Sequence, residues 1–324
     1  MTDPVTVVPD GTLAVGLQLP IQAQSTMFVA DWERRAGPPE LAAVARAADD
    51  AGFFYVGVCD HTAIPEALAP AMGTVWYDTV ATLGWLAGMT GRVRLLSHVL
   101  VLAERHPLRA AKELCTLDAL SNGRLVVGVG AGHVEAEYEV LAGDFAGRGA
   151  ATDEAVRALR RAFADEYPVL PGPRWPTRSM GVAPRPVQTP RPPIWIGGSS
   201  RPALRRAAAL GDGWLPQTAR RDELAAQIDE LRRLRDELAG GTPLDIGALA
   251  APIYLVGAGT GGDETWSLPS VVTRGAPEQV AETLGAFAGL GASHVQVRFM
   301  SRSAAELCDQ IAAFGATVLP RLDR

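Results

Sequence analysis

Eight short apolar runs, each followed by a stretch with helical spacing, constrain this chain more than any other feature in it. The runs are Leu13–Leu19, Phe53–Cys59, Val93–Leu102, Leu125–Gly130, Ile194–Gly197, Gly213–Pro216, Pro252–Val256 and His294–Phe299. Their length and β-branched content read as buried strands, and between them apolar residues recur every three or four positions. Leu224, Ile228, Leu231 and Leu238 make one such stripe, with Asp222 as its expected N-cap and Gly240-Gly241 as its stop. Pro277 opens another helix with Val280, Leu284 and Phe287 on one face, and the last helix carries Leu307, Ile311, Phe314 and Val318. The others are expected near Pro39–Ala51, Thr79–Met89, Pro107–Leu120, Ala151–Asp165 and Pro202–Leu210. Strict alternation predicts the α/β class and a (β/α)8 TIM barrel, one domain over residues 1–324. Long connections follow the first, second, fourth and seventh strands, on the C-terminal face where barrel active sites are built.

Bulk properties narrow the function. With 324 residues, 48% hydrophobic and 20% charged, the chain has material for a full barrel core. A net charge of -6 argues against a nucleic-acid partner. The opening MTDPVTVVPDG has no basic segment or long apolar run, and no apolar stretch is long enough to span a bilayer, so a cytoplasmic chain away from membranes is expected. Cys59, Cys115 and Cys308 lie far apart, without zinc spacing, and are read as free thiols; no metal site is expected. Lys112 is the only lysine among 30 basic residues, a bias that points to a GC-rich genome.

Chemistry concentrates at strand ends. The second strand closes on Cys59-Asp60-His61, and a histidine beside an aspartate at a barrel rim suits proton transfer near neutral pH. The fourth closes on Gly128-Val129-Gly130-Ala131-Gly132-His133, where the absence of side chains at Gly130 and Gly132 would admit a flat ligand. A dinucleotide fingerprint fails there, because the position of its last glycine holds His133. The fifth gives Gly197-Gly198-Ser199-Ser200 ahead of a helix with Pro202 in its first turn. Free amides, the positive end of the helix dipole and two hydroxyls make that turn an expected phosphate site.

The densest pattern is the β-α-β unit from Val93 to Glu137. It contains Arg105-His106-Pro107, Ala111-Lys112, Leu117-Asp118-Ala119-Leu120-Ser121, Gly123-Arg124 and the glycine run from Gly128 to Gly132. With Pro184-Arg185-Pro186-Val187-Gln188 and Asp212-Gly213-Trp214, it resembles the bacterial luciferase-like family of flavin and deazaflavin oxidoreductases. The resemblance implies a cofactor with a tricyclic ring and a phosphate. It implies an Asp60-His61 pair at the ring, His61 as base and Asp60 as its neighbour and a cofactor contact. It also implies a non-prolyl cis bond at His98-Val99 supporting the ring; read alone, His98 is only a strand histidine. The deazaflavin dehydrogenases of the family have a glutamate where His133 stands. Either His133 replaces that acid, or Glu135 or Glu137 reaches in, or no second group is needed. Glu137 is otherwise expected only to brace its own loop.

The reading is therefore a coenzyme F420-dependent oxidoreductase moving a hydride between the deazaflavin C5 and a small alcohol, ketone or enone. Its catalytic set is His61, Asp60 and His133. Its cofactor set is Asp60, His98, Val99, Gly130, Gly132, Gly197, Gly198, Ser199 and Ser200. The alternatives are a monooxygenase using reduced FMN and a non-catalytic flavin-binding accessory protein. A metal-dependent barrel hydrolase would need a His-x-His in the first strand, and Gly16–Pro20 has none. A homodimer acting on a small molecule is expected. Trp76 and Tyr77 are candidate walls for an apolar substrate, Trp85, Trp175 and Trp214 are packing residues, and Arg105, Arg148 and Arg201 are possible partners of anionic groups. Trp266 lies in a glycine-rich stretch, Gly257–Gly275, of the kind that forms lids.

Overall fold

The computed structural model describes residues 4–25, 29–170, 174–175, 179–217, 220–257 and 272–322. Trp266 and the candidate lid around it lie outside the described residues. Eight parallel strands close into one barrel: β1 (Ala14–Gln18), β2 (Tyr55–Val58), β3 (Arg94–Ser97), β4 (Leu125–Gly130), β5 (Ile194–Gly197), β6 (Gly213–Leu215), β7 (Asp245–Leu249) and β8 (His294–Val297). They run in sequence order around the ring, and the β3–β4 pairing together with β1–β8 completes it. Eight helices sit outside: α1 (Pro38–Ala51), α2 (Thr79–Ala87), α3 (Pro107–Leu120), α4 (Arg148–Ala164), α5 (Arg201–Leu210), α6 (Arg221–Ala239), α7 (Pro277–Gly289) and α8 (Ala304–Thr317). The alternation read from the sequence is this (β/α)8 barrel.

Three expectations need correction. The seventh barrel strand is Asp245–Leu249, paired with β6 and β8, and not Pro252–Val256. Ile253–Leu255 instead pairs with Thr273–Gly275 in a two-stranded ribbon outside the barrel. An aspartate and a glycine lower the apparent strand propensity of β7. Asp245 is nevertheless buried, accepting the Val7 amide at 2.9 Å and Trp195 Nε1 at 3.2 Å. The expected third strand is interrupted: β3 stops at Ser97, and pairing resumes at Leu100–Val101 after the His98–Val99 bond. Finally, α6 is capped by Arg220; Asp222 lies in its first turn and pairs with Arg220 at 2.9 Å.

Two cores form. Between strands and helices lies a continuous aliphatic layer that includes Leu41, Val56, Leu86, Leu95, Leu114, Ile196 and Ile311. Inside the barrel, Tyr55, Leu96, Val126, Trp195 and Leu215 pack together. Trp195 stacks on His294 at 4.2 Å, and Tyr55 meets both rings edge-on at 5.7 Å. Glycines make room for these rings: a Cβ at Gly16 would fall 2.0 Å from the Tyr55 ring, and one at Gly213 2.2 Å from Trp195. Burying a Trp or Tyr side chain this completely is worth about 2–3 kcal/mol each by area, which favours keeping glycine opposite.

His294 gives the core a pH dependence. Burial, with a smaller push from His98, lowers its pKa from the usual 6.5 to about 3. The unfolded chain therefore binds a proton between those values that the folded chain refuses. This share of the stability is present above pH 6.5 and is lost as the pH falls toward 3. At pH 4.5 the loss should be roughly 2–3 kcal/mol from this residue. We expect urea unfolding of His294→Gln to show a smaller drop in stability between pH 7 and pH 4.5 than the parent, by about that amount. Parallel pH profiles for the two proteins would remove His294 as the cause.

Candidate active site

The rim of the barrel at the C-terminal ends of β2 and β4 brings His61 and Glu137 together. After Gly130 the chain turns through Ala131–Val134 into a short helix, Glu135–Val140, that points Glu137 back toward β2. Tyr138 fixes the turn by donating its hydroxyl to the Ala131 carbonyl at 2.6 Å. Glu137 is buried, and its Oε1 accepts the backbone amides of Thr62 at 2.5 Å and Ala63 at 3.1 Å. Its Oε2 lies 2.8 Å from His61 Nδ1. With Nδ1–H donating to that carboxylate, the neutral ring presents Nε2 as its acceptor. The expectation that Glu137 only braces a loop is corrected: it braces the loop after β2 and orients His61.

Asp60 makes no side-chain hydrogen bond to His61 among the described residues. Its carboxylate faces the other way, accepting Thr79 Oγ1 at 3.0 Å, the Val101 amide at 2.9 Å and the Arg105 guanidinium at 3.1 Å. Only 8% exposed, it ties the β2 rim to α2 and to the segment after β3. Arg105 thus meets a carboxylate of the protein itself. Arg148 packs over the Phe145 ring at 3.8 Å, and Arg201 is exposed, 4.0 Å from Glu230.

His133 completes the rim cluster, its ring centroid 5.4 Å from that of His61, with the Trp76 ring 4.5 Å away on His61. His133 is exposed at the rim, and partial desolvation, then the neighbouring His61, lowers its pKa against an opposing pull from Glu137. Glu104, just before Arg105, is pushed up to about 7 by burial and by the charges of Glu137 and Asp60. Glu104 therefore exchanges its proton near neutrality, beside the rim cluster. Among the described residues no three His, Cys, Asp or Glu side chains are grouped to hold a metal ion.

A cavity of about 640 Å³ opens at the barrel mouth, bordered by His98, Val99, Gly197 and Gly198. The His98–Val99 bond is cis. Gly130 and Gly197 serve the Val99 side chain: a Cβ on either would fall 2.3 Å and 2.7 Å from it. Gly130 thus makes room for Val99, a packing role beyond the ligand contact read from the sequence. Gly132 packs under Tyr138 and Val101, 3.0 Å from each if given a Cβ, and likewise makes room for the protein. Ser200 caps α5, accepting the Ala203 amide at 3.4 Å, and Ser199 Oγ accepts the Gln217 amide at 3.0 Å. The Gly198 amide is taken by the Leu215 carbonyl, and Trp214 Nε1 donates to the Gly198 carbonyl. The Ser199 and Ser200 amides remain at the start of the helix, where the dipole favours an anion.

The same cavity is lined by Gln18, Leu249, Gln296 and Arg298, none of which the sequence reading singled out. Gln296 and Arg298 follow His294 at period two, the inward positions of β8 and its extension, which is the signal available for them. A larger cavity of about 840 Å³ lies at the opposite end, around Thr12, Leu13 and Ser293. That N-terminal end is where such barrels carry stability rather than chemistry.

Comparison with known proteins bears on the family and the fold. An uncharacterized protein of Mycobacterium tuberculosis is 30% identical over 225 residues, covering 66% of this chain and 77% of the relative. A putative coenzyme F420-dependent oxidoreductase of the same organism is 33% identical over 190 residues, 55% of this chain and 51% of that protein. The crystal structure of a monooxygenase from Streptomyces bottropensis shares the fold, with a TM-score of 0.75 at 23% identity, covering 95% of this chain and 99% of that one. Both F420-dependent and FMNH2-dependent enzymes occur among the relatives. No helix among the described residues is long and apolar enough to cross a membrane. The luciferase-like monooxygenase model matches residues 20–255, and the chain belongs to that family.

Proposed function

We propose that this protein is a coenzyme F420-dependent oxidoreductase that interconverts a small alcohol and the matching carbonyl compound. The observation that carries the reading is the His61–Glu137 pair, 2.8 Å apart at the barrel rim. Coenzyme F420, when bound, supplies a two-electron hydride acceptor. Loss of hydride from a carbinol carbon must be matched by loss of the hydroxyl proton, and His61 Nε2 is the group to take it. Glu137 stabilises the imidazolium that results and holds the ring in one orientation. In the reverse direction the same nitrogen returns the proton to the carbonyl oxygen. His133 and Trp76, both edge-on to the His61 ring, restrict the substrate's approach to it.

The barrel mouth fits such a cofactor. A cavity of about 640 Å³ is in the range that encloses ligands of this size, and its walls are mostly apolar. The Ser199 and Ser200 amides at the start of α5 suit the phosphate. Adding charge there without disturbing the cap is a clean test, because aspartate caps helices as well as serine does. Ser200→Asp is expected to keep parental thermal stability and to weaken coenzyme F420 binding tenfold or more, an order-of-magnitude figure for one added like charge near the anion. Binding of a phosphate-free deazaflavin should be unchanged. Side-by-side fluorescence titrations with coenzyme F420 and FMN test the cofactor directly: tight FMN binding without F420 binding would overturn the proposal.

A further inference from the structure

One donor in the barrel mouth has no partner among the described residues. Gln296 is 3% exposed, yet its Nε2 makes no hydrogen bond. A buried amide donor left unpaired is destabilising, so its retention needs a reason outside the folded chain's own contacts. The side chain lines the cavity together with Gln18 and Arg298. Gln18 Nε2 donates to Cys59 Sγ at 2.9 Å, a weak acceptor, and Arg298 lies 3.6 Å from the buried Glu33. Gln296 Nε2 borders the space above Gly57, 3.2 Å from where a Cβ on that residue would stand; His98 Cβ borders the same space at 3.5 Å. The orphan donor therefore sits beside the His98–Val99 segment at the barrel mouth.

We propose that Gln296, backed by Gln18 and Arg298, is the donor set that reads the carbonyl-bearing edge of a flat heteroaromatic ring held in this cavity. The unpaired Gln296 amide calls for an acceptor, and beside it stand the Gln18 amide and the Arg298 guanidinium, already engaged by Cys59 and Glu33. A pyrimidine-dione edge presents two carbonyl oxygens in one plane. The inference rests on the proposed cofactor reading for its ligand, although FMN carries the same edge. It separates two functions along the cavity: the α5 turn recognises the phosphate, and the β8 wall recognises the ring.

The test combines binding with the stability of the ligand-free protein. Gln296→Met keeps the length of the side chain and Gln296→Leu shortens it; both remove the orphan donor. Each is expected to be at least as stable as the parent in urea unfolding, since no hydrogen bond of Nε2 is lost. Each should bind coenzyme F420 and the phosphate-free deazaflavin about tenfold more weakly, by the same factor for both. A structural role for the amide would appear as lower stability in both variants, and that result overturns the proposal. Parental affinity for both ring ligands overturns it too, as does a loss confined to the phosphate-bearing one. If FMN binds and coenzyme F420 does not, the cofactor reading fails by itself. In that case a tenfold loss of FMN affinity in Gln296→Met still supports the donor wall, and parental FMN affinity overturns it.

Discussion

Replacing His61 by alanine is expected to lower kcat by about a hundred- to ten-thousandfold, the usual contribution of a positioned general acid or base. Coenzyme affinity should change little, because the proposed phosphate contacts are at the start of α5 and the proposed ring wall is on β8. Glu137→Gln should lower kcat in the same direction with less effect. It keeps an acceptor for Nδ1 but removes the charge that stabilises imidazolium, and it places an amide where Glu137 now accepts two backbone N–H groups. His133→Ala separates two roles for the second histidine. A small effect marks it as a wall of the cleft, and an effect equal to that of His61→Ala marks it as a second acid. Steady-state rates need a substrate, so a screen of alcohols, ketones and enones read by deazaflavin absorbance comes first. Full activity in His61→Ala, with coenzyme bound, would remove the dyad from the mechanism and return weight to oxygen activation with FMN.

The barrel was legible because its signal is periodic and repeated. Apolar strands and amphipathic helices alternate along the whole chain, so an error in one element leaves the class intact. The seventh strand was the weak point. Asp245 and Gly247 argue locally against a strand, and what rescues them is tertiary: the N-terminal amides that pair with Asp245, and the His294 ring that occupies the space over Gly247. Misplacing that strand hid Leu249 as a cavity wall.

In the site, composition indicated where chemistry gathers but not which atoms meet. Asp60 and His61 are adjacent in sequence, yet consecutive residues near a strand end diverge, and their side chains serve different neighbours. Glu137 lies 76 residues from His61, and nothing local to either predicts a 2.8 Å contact. The glycines show the same limit. Their small size was readable, whereas what fills the space, Val99 at Gly130 and Gly197, became visible only with the barrel closed.

Asp60 yields the clearest contrast between neighbouring residues. Its carboxylate is the common acceptor of the Arg105 guanidinium, the Val101 amide and the Thr79 hydroxyl. Removing it leaves a guanidinium only 22% exposed without its carboxylate partner at 3.1 Å. Glu113, 4.0 Å from Arg105 and itself paired with Arg109, compensates poorly. It also strands the Val101 N–H, which is buried. Losing one member of a buried charge pair and leaving a donor unsatisfied costs about 3–5 kcal/mol, enough to consume a large part of a typical domain's stability. Asp60→Ala is therefore expected to unfold at much lower urea concentration than the parent, whereas His61→Ala should lose less, because Glu137 keeps the Thr62 and Ala63 amides as partners. Coupling with Arg105 supplies the decisive control. If the carboxylate acts through the guanidinium, the Asp60→Ala, Arg105→Ala double variant should be more stable than the sum of the single losses predicts. Additive losses would show that the pair does not couple, and parental stability in Asp60→Ala together with a lost proton-transfer rate would return Asp60 to the reacting groups.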